Sequence, residues 1–185
     1  MMNKFDIVNV VGTIDFQRPI ALDPLAEELT NHKKANQIDY DPSELHLIHS
    51  WLFADNIYVA FYKNGTCSVT GVDSIDEFDA VSDRINSVLE DVFDFEYEPE
   101  TTVNNVVATA ELSTIPPLET IAVGLGLEQT EYEPEQFPAL IYRGGDAVIL
   151  IFASGKIVCT GVTDPDKISP EIDELTEQIE AFEFP

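Results

Sequence analysis

Residues 65–72 read GTCSVTGV, and residues 155–162 read GKIVCTGV. The two stretches are versions of one segment. Working outward, residues 7–14 (IVNVVGTI) match residues 103–110 (VNNVVATA), and Tyr40-Asp41-Pro42 matches Tyr132-Glu133-Pro134. The offset falls from 96 to 92 to 90 along the chain, so the order is kept and small insertions sit in the first copy. A fixed order at a near-constant offset identifies a tandem duplication of about 90 residues. We expect a first repeat over residues 1–98 and a second over 99–185.

Each copy has the same predicted elements. A Val/Ile-rich strand (7–14; 103–110) comes first. A helix follows, with Pro24 and Pro117 at its first turn, where proline is tolerated. Three β-rich runs come next: 45–53, 57–62 and 66–72, then 137–143, 147–152 and 156–162. Asn64-Gly65 and Ser154-Gly155 are tight-turn signals between the last two runs of each copy. A long amphipathic helix closes each copy. Its apolar positions are Phe78, Val81, Ile85, Val88 and Val92, then Ile168, Ile172, Leu175, Ile179 and Phe182, in steps of three and four.

The chain has 185 residues, 35 acidic and 9 basic, for a formal net charge of −26. Both copies carry −13: 19 acids and 6 bases over 1–98, 16 and 3 over 99–185. Apolar residues make up 44%, a globular composition. No stretch longer than ten residues lacks a charge, which excludes a membrane-spanning helix of roughly 20 apolar residues. The first residues, MMNKFDIVNVVG, do not read as a signal peptide. Cys67 and Cys159 make neither a disulfide framework nor a zinc site, and a reducing cytoplasm is expected. Two buried small residues are the simpler reading. His46 and His49 fall on opposite faces of one strand, which disfavours a shared metal. No phosphate loop, nucleophile elbow or HExxH is present, so neither an enzyme nor a cofactor is expected.

Taken alone, −26 opposes a nucleic-acid partner and an anionic membrane, because phosphates attract Lys and Arg. Concentrated salt changes that. At about 1 M salt the Debye length is roughly 3 Å, so net charge is nearly hidden and carboxylates serve solubility. The charge is also unevenly placed. None of the 35 carboxylates falls in the strand runs above. A sheet whose face away from its helices is neutral and apolar is an interface or a liability.

Two stretches carry a family resemblance: Tyr132-Glu-Pro-Glu-Gln-Phe-Pro-Ala-Leu-Ile-Tyr-Arg143 and Leu150-Ile-Phe-Ala-Ser-Gly-Lys-Ile-Val-Cys-Thr-Gly161. Both resemble the TATA-binding proteins of archaeal type, as do Ile7-Val-Asn-Val-Val11 and Asn105-Val-Val107. The resemblance implies an α+β saddle in which two pseudo-symmetric repeats share one curved antiparallel sheet, with helices on the convex side. It implies binding to an opened minor groove of TATA-like promoter DNA, sharp bending, and recruitment of transcription factor B, with RNA polymerase reached indirectly. Phe137 and Phe152 stand at wedge positions. Asn9 and Asn105 match the family's paired central asparagine positions. Val11, Thr70, Val107, Val158 and Thr160 match groove-lining positions, and Arg143 and Lys156 match positions near phosphates. Glu133, Glu135 and Gln136 match the loop that meets transcription factor B. The first repeat departs from this pattern. Leu45 and Tyr62 stand at its wedge positions, Ser68 replaces a groove valine, and Glu44, Trp51 and Thr66 stand where cations are usual. One alternative is a divergent paralogue with weakened DNA binding that acts through transcription factor B. Another is a duplicated domain for a small ligand or protein partner, or a homodimer in the absence of DNA.

Overall fold

The computed structural model describes residues 4–31, 35–43, 46–53, 57–93, 98–113 and 117–182. Ten strands and four helices are present among them. The strands are β1 (Phe5–Asp15), β2 (Ala35–Asp39), β3 (Leu47–Leu52), β4 (Tyr58–Tyr62), β5 (Thr66–Val72), β6 (Glu100–Glu111), β7 (Thr130–Glu131), β8 (Ala139–Tyr142), β9 (Val148–Phe152) and β10 (Lys156–Val162). The helices are α1 (Leu22–Asn31), α2 (Ile75–Phe93), α3 (Leu118–Leu125) and α4 (Ile168–Glu180), the last preceded by a 3-10 turn at Pro165–Lys167. The antiparallel strand order is β2-β3-β4-β5-β1-β6-β10-β9-β8-β7.

The chain divides into two compact units, Asn9–Asn104 and Met1–Val8 with Asn105–Pro185. In the first unit, Val10, Ile14, Ile48, Val59, Phe61, Cys67, Val69 and Val72 are buried on one face of the strands. Leu22, Leu25 and Leu29 of α1, and Phe78, Val81, Ile85, Val88 and Leu89 of α2, are buried with them. Leu89 takes the place expected for Val92, which lies half-buried in the final turn. The start of α2 is a reciprocal cap: Ser74 Oγ accepts from the Glu77 amide at 3.2 Å, and the Glu77 carboxylate accepts from the Asp73 amide at 2.8 Å. Gly12 exists because of Phe78, whose ring atoms would lie 2.3 Å from a Cβ there. In the second unit, Val106, Ala108, Leu140, Ile149, Ile151, Ile157 and Cys159 are buried, along with Leu118, Ile121 and Leu125 of α3 and Ile168, Ile172, Leu175 and Ile179 of α4.

Several expectations are corrected. β2 and β7 were not foreseen, because ANQID and TE carry no apolar alternation. Pro117 caps α3 from outside instead of standing in its first turn. Phe137 and Arg143 flank β8 instead of lying in it. The strands also run past their apolar centres, so Asp6 and Asp15 fall in β1, Glu100 and Glu111 in β6, Asp39 in β2 and Glu131 in β7. These carboxylates sit at or near strand ends, and the strand centres stay free of them.

Both thiols are buried and unbridged. Burial pushes the Cys67 thiol far up. Burial, with Glu171 nearby, raises Cys159 to about 11. Thiolate is the reactive form, so neither should react at pH 8 in the native state. A disulfide-exchange reagent is expected to titrate no fast thiol in folded protein and two in denaturant.

Candidate nucleic-acid interface

Alternation places a second set of side chains on the strand face away from the buried core. In the unit Asn9–Asn104 these are Asn9, Val11 and Thr13 of β1, Ser68 and Thr70 of β5, Tyr58 and Tyr62 of β4, and Leu47, His49 and Trp51 of β3. Nearly all are half-buried, and Tyr62 is 38% exposed. Phe61 turns into the core, as its parity requires. Leu45 and Glu44 lie outside the described residues. The strand register puts Leu47 opposite Tyr62 and Trp51 opposite Tyr58. Across this hairpin, His49 Nδ1 and the Tyr58 hydroxyl are hydrogen-bonded, and the Trp51 ring meets Tyr58 edge-on with centroids 5.2 Å apart. Burial, helped by Tyr62, raises the Tyr58 phenol above its ordinary value. Sequence reading did not find this aromatic group. Its signal was the shared parity of His49 with Trp51 and of Tyr58 with Tyr62. No Lys or Arg stands in these strands of the unit.

In the other unit the corresponding face carries Asn105, Val107 and Thr109 of β6, Val158 and Thr160 of β10, Val148, Leu150 and Phe152 of β9, and Ile141 of β8. Phe137 stands just before β8, where its amide donates to the Glu133 carbonyl at 3.0 Å, closing a tight turn. Its ring is 40% exposed and meets Phe152 edge-on, 6.3 Å between centroids. Glu133, Glu135 and Gln136 project from that turn, exposed, with Gln136 Nε2 donating to Glu133. Both cations of this face have acidic company. Arg143 lies 3.9 Å from Glu131, and Lys156 stands directly across from Glu111. Such exposed pairs contribute little and leave the cations available.

Asn9 and Asn105 share one anchor, a glycine amide on Oδ1, and Asn105 adds a bond from Nδ2 to Thr160 Oγ1 at 3.0 Å. Asn9 Oδ1 accepts from the Gly71 amide at 2.8 Å and from Thr70 Oγ1 at 3.1 Å. Asn105 Oδ1 accepts from the Gly161 amide at 2.8 Å, with Thr160 Oγ1 at 3.2 Å. Both glycines sit at a bulge. The β1–β5 register shifts between Val10 and Gly12, the β10–β6 register shifts between Cys159 and Val162, and φ is +91° at Gly71 and +87° at Gly161.

A family model described as transcription factor TFIID, or TATA-binding protein, matches residues 4–92 and again 100–182. The chain belongs to the TATA-binding protein family. It is 37% identical to TATA-box-binding protein C of Halobacterium salinarum, over 87% of this chain and 89% of that protein. It is 34% identical to TATA-box-binding protein 2 of Haloferax volcanii, over 97% and 95% of the two. The structure superposes on Methanococcus jannaschii TBP with a TM-score of 0.81 and 31% identity, covering 97% of this chain and 99% of that one. The tandem match to the family model accounts for the recurrence of asparagine, bulge and glycine in each unit.

Proposed function

We propose that this chain is a basal transcription initiation factor that binds the minor groove of an A·T-rich promoter element, bends it and recruits transcription factor B. One observation carries the proposal. On a chain of charge −26, the open strand faces keep carboxylates out of their centres and expose Phe137 beside Phe152. The minor groove offers few distinguishing hydrogen bonds, so an apolar face reads it largely by shape, and apolar wedges unstack base steps to bend it. Each repeat, 1–98 and 99–185, takes part. Val11, Thr70, Val107, Val158 and Thr160 line the groove. Asn9 and Asn105 bond its acceptors. Phe137 and Phe152 wedge at one end, and Leu45 and Tyr62 at the other. Arg143 and Lys156 meet phosphates. Glu133, Glu135 and Gln136 form the surface for transcription factor B, through which RNA polymerase is reached. The protein acts in the cytoplasm, at the nucleoid, and needs no cofactor.

The test is binding to a labelled A·T-rich TATA duplex in molar KCl, with end-to-end energy transfer reporting the bend and a G·C-scrambled duplex as control. Selective binding with a bend is expected. No selectivity and no bend would overturn the proposal. Counterions released from DNA are offset by cations taken up by the acidic protein, so log Kd should change little, or fall, as salt rises. A steep loss of affinity toward molar KCl would count against salt-adapted binding.

One observation favours a second reading, a paralogue that keeps the partner loop and has relaxed its grip on the promoter. The strands of the unit Asn9–Asn104 have no cation, Trp51 stands where Arg143 stands in the other copy, and Tyr62 stands where Phe152 does. Under the first reading, Leu45→Phe with Tyr62→Phe changes affinity by less than about threefold. A gain beyond about tenfold, roughly 1.4 kcal/mol, would favour the paralogue.

A further inference from the structure

We propose that the bulge amides of Gly71 and Gly161 are positioning groups that fix the orientation of Asn9 and Asn105, and so set the discrimination between A·T and G·C at the centre of the site. The inference rests on the minor-groove reading above. An asparagine amide has two arms of similar shape and opposite hydrogen-bonding sense. Left free, it could turn about its last torsion and present either arm. Here one arm is committed. Two donors, the Gly71 N–H at 2.8 Å and the Thr70 hydroxyl at 3.1 Å, converge on Asn9 Oδ1. The Gly161 N–H does the same to Asn105 Oδ1 at 2.8 Å. A flipped amide would point N–H at N–H, so the flip is disfavoured in both units. Nδ2 is therefore the arm fixed as a donor. In the second unit one of its two protons also reaches the Thr160 hydroxyl at 3.0 Å, and the other remains for a ligand.

The backbone makes this possible. In a regular antiparallel ladder, the amide of residue 71 or 161 would pair with the neighbouring strand or face away from it. The register shift at each bulge, with φ near +90°, turns that N–H toward the asparagine instead. Only glycine adopts such a φ readily. The Thr-Gly-Val triplet recurs at 70–72 and 160–162 because its three residues supply a hydroxyl, an amide in the unusual conformation and a core side chain, in that order.

The chemical consequence is a fixed donor. A·T pairs show only acceptors in the minor groove, whereas a G·C pair adds the guanine amino donor. A locked Nδ2 satisfies the first and opposes the second. An unlocked amide could turn its oxygen toward guanine and accept. The lock should therefore act on selectivity more than on affinity.

Cys159 allows a direct test by ligation of a synthetic segment 159–185 to recombinant 1–158. Three full-length chains are made: the natural one, one with glycolic acid in place of Gly161 (an ester oxygen where the N–H was), and one with D-alanine at 161, which keeps the N–H and favours positive φ. Each is titrated with the A·T-rich duplex and with duplexes carrying single G·C replacements at the centre. The ester is expected to lower the A·T to G·C affinity ratio by about tenfold, the scale of one well-placed minor-groove contact, with a smaller change for the A·T duplex itself. D-alanine should retain the natural ratio. A ratio unchanged by the ester overturns the proposal. A DNA-free measurement separates this inference from the DNA reading: a through-hydrogen-bond NMR coupling between Gly161 15N and Asn105 13Cγ is expected in the free natural chain. Its absence overturns the lock whatever the DNA result. Its presence, with no A·T preference by the natural chain, overturns the minor-groove reading, and the selectivity role falls with it.

Discussion

Replacing Phe137 and Phe152 together by alanine is expected to weaken binding to an A·T-rich duplex by about 100-fold or more, some 2.7 kcal/mol, and to abolish most of the bend. Phe137 is 40% exposed and contributes little to the core. Phe152 is half-buried and stands opposite Ala139, with its ring against Phe137. Such an edge-on aromatic pair stabilises the free protein by about 0.5–1.5 kcal/mol. Against DNA the same rings would enter an unstacked step, where each would lose its remaining contact with water; full burial of one large apolar side chain is worth about 1.5–3 kcal/mol. The effect on binding should therefore exceed the effect on folding. Equilibrium titration, paired with a thermal melt, separates the two. Equal losses in both would mean that these rings are core residues and not wedges.

The largest effect on stability is expected at Gly65. Its φ is +96°, and a Cβ there would lie 1.7 Å from the carbonyl oxygen of Arg18. That atom is backbone, so no flexible side chain can move aside. Gly65 also closes the β4–β5 turn, with its amide donating to the Tyr62 carbonyl at 3.0 Å and its own carbonyl accepting from the Phe16 amide at 2.9 Å. Phe16 is fully buried, so any shift of the turn reaches the core. Gly65→Ala combines a strained φ with a backbone clash, and about 3 kcal/mol or more of destabilisation follows. Urea denaturation reads this as a lower midpoint with an unchanged slope. Retention of the native midpoint would show that the turn has room the structure does not.

What the sequence disclosed, and what it withheld, follows from which features are periodic. The duplication was legible because IVNVVGTI and VNNVVATA, then GTCSVTGV and GKIVCTGV, recur in the same order at a near-constant offset, and the two long helices repeat apolar residues in steps of three and four. β2 and β7 were hidden because five and two mostly polar residues hold no alternation, and their pairing with β3 and β8 is a tertiary matter. The faces were readable by parity. Strand parity alone turns Phe61 inward and its neighbour Tyr62 outward, as the structure has them. Contacts across a hairpin were not readable, since they depend on register. His49 reaches Tyr58 diagonally, and only the pairing of Trp51 with Tyr58 reveals it. The asparagine lock was hidden for the same reason. It depends on a bulge, whose trace in the sequence is one repeated triplet.

The two outermost strands have a consequence for assembly. A sheet of ten strands could continue into another molecule wherever an edge leaves backbone donors and acceptors unpaired. Here the terminal strands are five and two residues long, and each ends on a carboxylate, Asp39 in one and Glu131 in the other. A further strand would find little ladder to extend and a like charge opposite its own. Concentrated salt would mute that repulsion, and the shortness of the strands would remain. Resistance to fibrous growth thus rests first on geometry, a safeguard that holds where charge is screened.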